Sequence, residues 1–488
     1  MSQEIRQLEP SVIWNKFADL NDVPRPSKKE ERVIQFMLDF GNSLGLETFS
    51  DAVGNVIIRK PATAGMEERK KVTLQSHLDM VHQKNADTDF DFDTEGIKMF
   101  VEEDCVKAKG TTLGADNGLG VATIMALLES SDIPHPFLEA LFTIDEETGM
   151  TGAMGLKGGI LQGEILLNLD TEEDDELDIG CAGGIDVTAT RDYIEELTTE
   201  DNIGCLLSVK DLQGGHSGID IHKGFGNANK IMNRLLFNST EKHHIQISEI
   251  DGGSLRNAIP RESFSKIAVK GSSKTKFESD FAEWVALIKS ELSVNEPDLS
   301  ISLDWIDLPS QVMQKNAQEQ LVKAIYAAHN GVYEMSASIP ELVETSNNVA
   351  RVEVKNGALK ISCLTRSSVN SAKMDLANAL KSSFELGGCE VVFDGAYPGW
   401  NPNPDSAILK VLESKYEELF SEEPHVAACH AGLECGILGQ NYPDMDMISF
   451  GPTINGAHSP DERVSISSVQ KFWKFILEIL KDIPKNKT

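Results

Sequence analysis

Val72-Thr73-Leu74-Gln75-Ser76 runs straight into His77-Leu78-Asp79, and the reading of this stretch decides the fold. It is a short apolar strand that ends on residues able to bind a metal. Three other runs repeat the pattern. Residues 138–144 lead into Asp145-Glu146-Glu147, residues 165–169 lead into Asp170, and Met447 to Phe450 lead through Gly451-Pro452 to His458. In open α/β sheets, ligands bind in the crevice outside the carboxyl ends of the strands. Imidazoles and carboxylates delivered there by separate strands imply a two-metal hydrolytic site.

Working outward, residues 1–185 alternate between helix and strand. Val33, Phe36, Met37 and Phe40 mark one face of a helix over 29–44, Val56-Ile57-Ile58 reads as a strand, and 118–128 reads as a second helix. This alternation predicts a sheet with helices on its faces. Near Gly183-Gly184 the texture changes to mixed strands and helices with charged faces, such as 277–292 and 316–329. None of those strand ends carries a His/Asp/Glu cluster. Tyr397-Pro398-Gly399-Trp400-Asn401-Pro402-Asn403-Pro404 is a Pro-rich connector, after which come a helix over 406–419 and the strand unit of His458. Because His458 must join the earlier ligands, the middle reads as an insertion. The expected division is a catalytic domain over 1–185 and 397–488, with an α+β lid domain inserted over 186–396. The insertion has room for two α+β units side by side. Gly183-Gly184 and the connector near Pro398 are the expected hinges.

At 488 residues, the chain exceeds one typical core, which agrees with two domains. Its 45 basic and 77 acidic side chains give a net charge of −32, which opposes binding to nucleic acid or to an anionic membrane. The seven cysteines are scattered without a Cys-x-x-Cys pair, favouring a reducing compartment over a disulfide framework. The first residues lack the apolar run of a signal peptide, and no stretch approaches a membrane span. A cytoplasmic location is expected.

Two metal ions about 3.5–4 Å apart need imidazoles, carboxylates and a group that bridges them. His77, Asp116, Glu147, Asp170 and His458 supply that set. Asp116 lies in Thr112-Leu113-Gly114-Ala115-Asp116-Asn117-Gly118, a glycine-flanked loop before a helix. Such loops commonly cradle phosphate. Here a carboxylate at the centre would repel phosphate, and no phosphate-loop motif is present. The run 170–176 fails the calcium-loop spacing, and no His-Glu-x-x-His occurs. Taken singly, each of these signals reads more simply as a strand-end polar residue or a solvated turn. Their joint placement changes that.

Together, Ser76-His77-Leu78-Asp79-Met80-Val81, Gly114-Ala115-Asp116-Asn117-Gly118, Asp145-Glu146-Glu147-Thr148-Gly149, Leu169-Asp170 and Gly456-Ala457-His458-Ser459-Pro460-Asp461-Glu462 resemble the co-catalytic zinc exopeptidases. Within that group the chain is most similar to the aminoacyl-histidine dipeptidases, and the likeness spans nearly all of it. The resemblance implies an α/β, zinc-exopeptidase-like catalytic domain. It implies two Zn2+ per subunit, with His77 and Asp170 on one ion, Glu147 and His458 on the other, and Asp116 bridging both through a cis bond to Asn117. Co2+ and Mn2+ suit the same nitrogen and oxygen ligands. Asp79 is placed to accept the free ring N–H of His77. Glu146, beside a ligand, is placed to act as general base and acid. In the insertion, His216 resembles an oxyanion-stabilising lid histidine, Asn257 a substrate-binding asparagine, and Arg366 an arginine that clamps the substrate carboxylate. His430-Ala431-Gly432-Leu433-Glu434 is expected to line the pocket, with Gly432 as a substrate contact.

The expected activity is hydrolysis of dipeptides, Xaa-His dipeptides such as β-alanyl-histidine among them. An N-acyl amino acid amidohydrolase of the same fold is the rival, since it would keep every metal ligand. A non-catalytic relative would show gaps among the ligands or at Glu146, and none is missing. The expected partners are small peptides, with a homodimer left open.

Overall fold

The computed structural model describes residues 3–486, and the chain divides into two compact units. The first comprises the chain up to Gly180, Trp400–Ala428 and the chain from Leu433 on; the second comprises Cys181–Gly399 and Cys429–Gly432. The return of Cys429–Gly432 to the second unit carries no mark in the sequence. It follows from contacts within that unit: Ala182 donates its N–H to the Cys429 carbonyl at 2.9 Å, and the His430 ring meets Ser346.

Among the described residues, the first unit is built on an eight-stranded sheet. Its central strands run in the order Leu138–Thr143, Val72–His77, Ile165–Asn168 and Asp446–Ser449, and adjacent pairs in this row are parallel. Every residue of the first three is buried, which explains their near-continuous apolar sequences: a parallel strand is covered on both faces. Parallel pairing brings all four carboxyl ends to one edge. The register then sets their level. His77 pairs with Thr143, and Gln75 pairs with Asn168, so His77 and Asp170 each stand two residues beyond a matched pair.

The helix Ala115–Glu129 is apolar on all sides and is buried from Asn117 to Leu128, as a helix covered on every face must be. It packs beside the helix Ser11–Asn21, where Trp14 and Phe17 share a core with Leu119, Ala122 and Ala126. Its close approach to the strand ends depends on Gly120. A Cβ there would lie 2.4 Å from Ser76 Oγ and 2.7 Å from the Leu169 carbonyl oxygen.

The second unit contains a nine-stranded antiparallel sheet. Its strands Gln246–Gly253 and Val343–Lys355 pair, so two α+β halves share one continuous sheet rather than standing side by side. Helices Ala228–His243, Lys274–Glu291, Lys315–Ala327 and Asn370–Leu386 close its core, with Leu235, Phe277, Leu321 and Phe384 set against Leu207, Ile267, Val352 and Ile361.

Gly183 and Gly184, the expected hinge glycines, are packed closely in the structure. Both are buried in the strand Gly183–Asp192, paired with Ser367 and Arg366. A Cβ on Gly183 would fall 2.3 Å from the Gly399 nitrogen, backbone that cannot swing aside. Glycine is needed there for close packing of two chain segments. Gly183→Ala should therefore lower stability by about 1–3 kcal/mol, the usual cost of overpacking. The midpoint of denaturant unfolding measures this, and an unchanged midpoint would return the position to a hinge reading.

Candidate metal centre

The strand ends and the Asp116 loop bring His77, Asp116, Glu146, Glu147, Asp170 and His458 together in the first unit. His77 Nε2 lies 3.1 Å from Asp116 Oδ1 and 3.5 Å from Asp170 Oδ1. His458 Nε2 lies 3.1 Å from Asp116 Oδ2 and 3.0 Å from Glu147 Oε2. Each oxygen of Asp116 thus faces a different imidazole and a different second carboxylate. Ligand atoms of His77, Asp116 and Asp170 fall within 4.8 Å of one another, as do those of Asp116, Glu147 and His458. Asp116 belongs to both groups, as a bridging ligand would. The Asp116–Asn117 bond is cis, and Asn117 Nδ2 donates to the Leu169 carbonyl at 2.6 Å, tying the loop to the Asp170 strand.

The electrostatics fit a pair of cations. Burial first, then the nearby charges of Asp170 and Glu147, pushes the Glu146 carboxyl well above the usual range. Burial also raises Glu147 and Asp170. Its contacts with Asp116 and Glu147 push His458 up to about 11, and His77 is raised by Asp170 and Asp116 against the opposing effect of its burial. Asp170 Oδ1 and Glu147 Oε1 are buried without a hydrogen-bond partner. Such orphaned oxygens are costly unless a cation takes them. The donor set of imidazole nitrogens and carboxylate oxygens suits zinc and also admits cobalt or manganese.

Asp79 holds this arrangement more broadly than the sequence suggested. The Nδ1 of His77 lies 3.1 Å from the Asp79 main-chain carbonyl and 3.4 Å from its carboxylate. The carboxylate accepts the Glu146 N–H at 3.0 Å, the Glu147 N–H at 3.3 Å and the Ser27 hydroxyl at 2.8 Å. One side chain orients a ligand from one strand and the turn that carries Glu146 and Glu147 from another.

Two buried residues, Glu462 and Arg25, were given no role in the sequence reading, and a third, Glu434, has a different one. Glu462 accepts the N–H groups of Leu113, Gly114, Ala115 and Asp116 at 2.6, 3.0, 2.7 and 3.3 Å. Arg25 works on the carbonyls, donating to Gly114 at 2.6 Å and to Leu78 and Asp79 at 3.1 Å each. The Asp116 loop is thus gripped through its amides by the glutamate and through a carbonyl by the arginine. Glu434 accepts from Gln75 Nε2 at 2.7 Å and from Thr143 Oγ1 at 2.5 Å, beneath the strand ends rather than as a pocket wall. Glu462 stands four residues beyond His458 in a quoted motif, which is a weak signal. Nothing in the sequence around Arg25 points to this role.

The second unit brings its own residues together. Ser217 N–H donates to the Asn257 carbonyl at 2.7 Å, and His216 bridges to Ala258, so the loops of His216 and Asn257 are joined. His216 Nδ1 accepts the N–H groups of Gly218 and Ile219 at 3.2 and 3.1 Å. An accepting Nδ1 places the proton of the neutral ring on Nε2. Arg366 is 4% exposed on the strand Ala358–Ser367. Gly432 belongs to the returning segment, two residues beyond His430.

The profile of the peptidase family M20/M25/M40 matches residues 73–482. The chain belongs to this family. It is a metallopeptidase on that evidence together with its relatives. It is 42% identical over 481 residues, 99% of each chain, to the cytosol non-specific dipeptidase of Escherichia coli strain K12. The crystal structure of aminoacylhistidine dipeptidase from Vibrio alginolyticus superposes with a TM-score of 0.93 at 43% identity, covering 100% of this chain and 99% of that one. Aminopeptidase PepT from Bacillus cereus, at 15% identity and a TM-score of 0.57 over 98% of this chain and 99% of its own, shares the fold. Family M20 is metal-dependent, in keeping with the fit of the centre to cations. No helix of the described residues is long and apolar enough to cross a membrane.

Glu462→Gln keeps the size of the side chain but turns a donor towards amides that need an acceptor. It should weaken metal binding about 10–100-fold, as loss of a residue that orients a ligand typically does. Chelator competition measures the affinity, and an unchanged value would show that the loop holds its shape without Glu462.

Proposed function

We propose that the protein hydrolyses dipeptides with a free C-terminal carboxylate, Xaa-His dipeptides among them, at two zinc ions. The observation that carries this is the sharing of Asp116 between two three-residue ligand groups in a chain 42% identical to a dipeptidase. His77 and Asp170 would hold one ion, Glu147 and His458 the other, with Asp116 shared between them. When bound, the ions supply Lewis-acid polarisation of the scissile carbonyl and acidify water held at the centre. Glu146 would take a proton from the attacking water and return it to the leaving amine, a task that suits a carboxyl whose pKa is raised by burial. Asp79 keeps the Glu146 turn and the His77 ring in place.

From the second unit, acting as a lid, His216 donates its Nε2–H to the developing oxyanion. A tautomer set by two backbone amides supports this role. Arg366 clamps the substrate carboxylate, with Asn257 and Gly432 as further contacts. Conformational closure of such units commonly completes a site and excludes water. We place the enzyme in the cytoplasm.

Glu146→Gln should retain metal and lose about 10²–10⁴-fold in kcat, the usual contribution of a positioned acid–base group. Metal analysis and turnover of a dipeptide panel test this together. The wild type should cleave the dipeptides and leave the N-acetylated amino acids nearly untouched. Turnover confined to the acylated compounds would make the protein a deacylase, and wild-type kcat in the variant would remove Glu146 from the reaction.

His216 is expected to serve the centre of its own chain. Mixed Glu146→Gln and His216→Ala chains should then stay inactive. Activity recovered in mixed dimers would mean that His216 serves the neighbouring subunit.

A further inference from the structure

In the second unit Arg366 is almost wholly buried, yet it forms no ion pair with a carboxylate of the described residues. Asp186 lies within electrostatic reach of Arg366 but is paired with Arg256 at 3.0 Å, which leaves the Arg366 guanidinium open to a carboxylate from outside. Its guanidinium is not free to turn. Nη1 donates to the Tyr397 hydroxyl at 2.8 Å, whereas Nε is buried without a hydrogen-bond partner.

The surroundings fix the tyrosine in its turn. Tyr397 closes the strand Glu390–Tyr397 and pairs with Gly184, the residue that also lies opposite Arg366. A Cβ on Gly184 would come within 2.5 Å of the phenol ring and 2.7 Å of its hydroxyl. Only glycine there lets the ring lie against the guanidinium. On the other side, Ser346 lies opposite Arg366 in the sheet, and its hydroxyl is 2.8 Å from His430 Nε2. Burial, then the nearby positive charges, pulls the His430 pKa down to about 3. A neutral ring can accept from Ser346, so neither neighbour brings an anion to Arg366.

A guanidinium offers a carboxylate either its Nη1–Nη2 end or its Nε–Nη2 side, in both cases as two parallel N–H donors. Tyr397 takes one N–H of Nη1, whereas neither Nε nor Nη2 donates to any described residue, so the Nε–Nη2 side is the edge left wholly unpaired. We propose that Tyr397 is a positioning residue for substrate recognition: it turns Arg366 so that the Nε–Nη2 edge receives the α-carboxylate of the dipeptide in bidentate fashion. This rests on the reading of Arg366 as the carboxylate clamp and adds its orientation and the residue that sets it.

The test compares a dipeptide and its C-terminal amide on wild type, Tyr397→Phe and Arg366→Ala, each loaded with metal. Tyr397→Phe keeps the ring and removes the hydroxyl. It should raise KM for the free-carboxylate dipeptide about tenfold, the size expected for loss of a hydrogen bond to a charged group. The change should fall on KM more than on kcat, and the preference for free over amidated substrate should drop. Arg366→Ala should reduce that preference further. If Arg366→Ala lowers the preference and Tyr397→Phe does not, the orienting role is wrong while the clamp stands. An equal loss on both substrates in Tyr397→Phe would reduce the contact to a structural one and likewise overturn the proposal. A preference unchanged in Arg366→Ala would remove the clamp itself, and the inference with it.

Discussion

The first unit is organised around one electrostatic demand: Asp116, Glu146, Glu147 and Asp170 converge on one partly buried place with only two imidazoles between them. Like charges brought this close in a medium of low dielectric repel strongly, and each loses hydration as well. Cations answer both problems. The raised carboxyls of Glu146, Glu147 and Asp170, and the raised imidazoles of His77 and His458, express the same demand as an affinity for protons. A cluster of this kind would drive its own loops apart unless the scaffold held them.

The scaffold holds them by three devices of different range. Parallel pairing brings the carboxyl ends to one edge, and the register puts His77 and Asp170 at one level. Gly120 lets the buried helix approach the strand ends closely enough for Asp116 to stand between the two imidazoles. Glu462 and Arg25 then grip the Asp116 loop by opposite backbone groups. Because Glu462 follows His458 by four residues, the same short segment supplies a candidate ligand and a grip on the Asp116 loop. Charge-assisted hydrogen bonds to backbone are strong, directional links, well suited to holding a carboxylate where repulsion would displace it.

The second unit holds its buried side chains with the same economy. Backbone amides set the tautomer of His216, a tyrosine hydroxyl occupies one nitrogen of Arg366, and a neutral histidine holds Ser346 beside it. In each case a group without net charge restricts the neighbouring side chain. The glycines that resemble hinges in sequence make room for this packing, Gly183 against Gly399 and Gly184 against Tyr397.

The α/β class, the family and the residues that cluster as candidate metal ligands were legible in the sequence, because apolar runs of strand length each led to an imidazole or a carboxylate and the short motifs around them are distinctive. Local chemistry of that kind survives in one dimension. The parallel register, the second use of Asp79, and the roles of Arg25, Glu462, Glu434 and Tyr397 were not legible. Each rests on a contact across tens to hundreds of residues, as when Glu462 meets Leu113 or Gln75 meets Glu434. The same holds for the segment Cys429–Gly432, which belongs to the second unit through bonds to Ala182 and Ser346. The sequence by itself determined which atoms can bind metal. Tertiary structure decided how those atoms are held, because backbone amides and carbonyls, the groups that do most of the holding, are the same in every residue and carry no signal until the chain has folded.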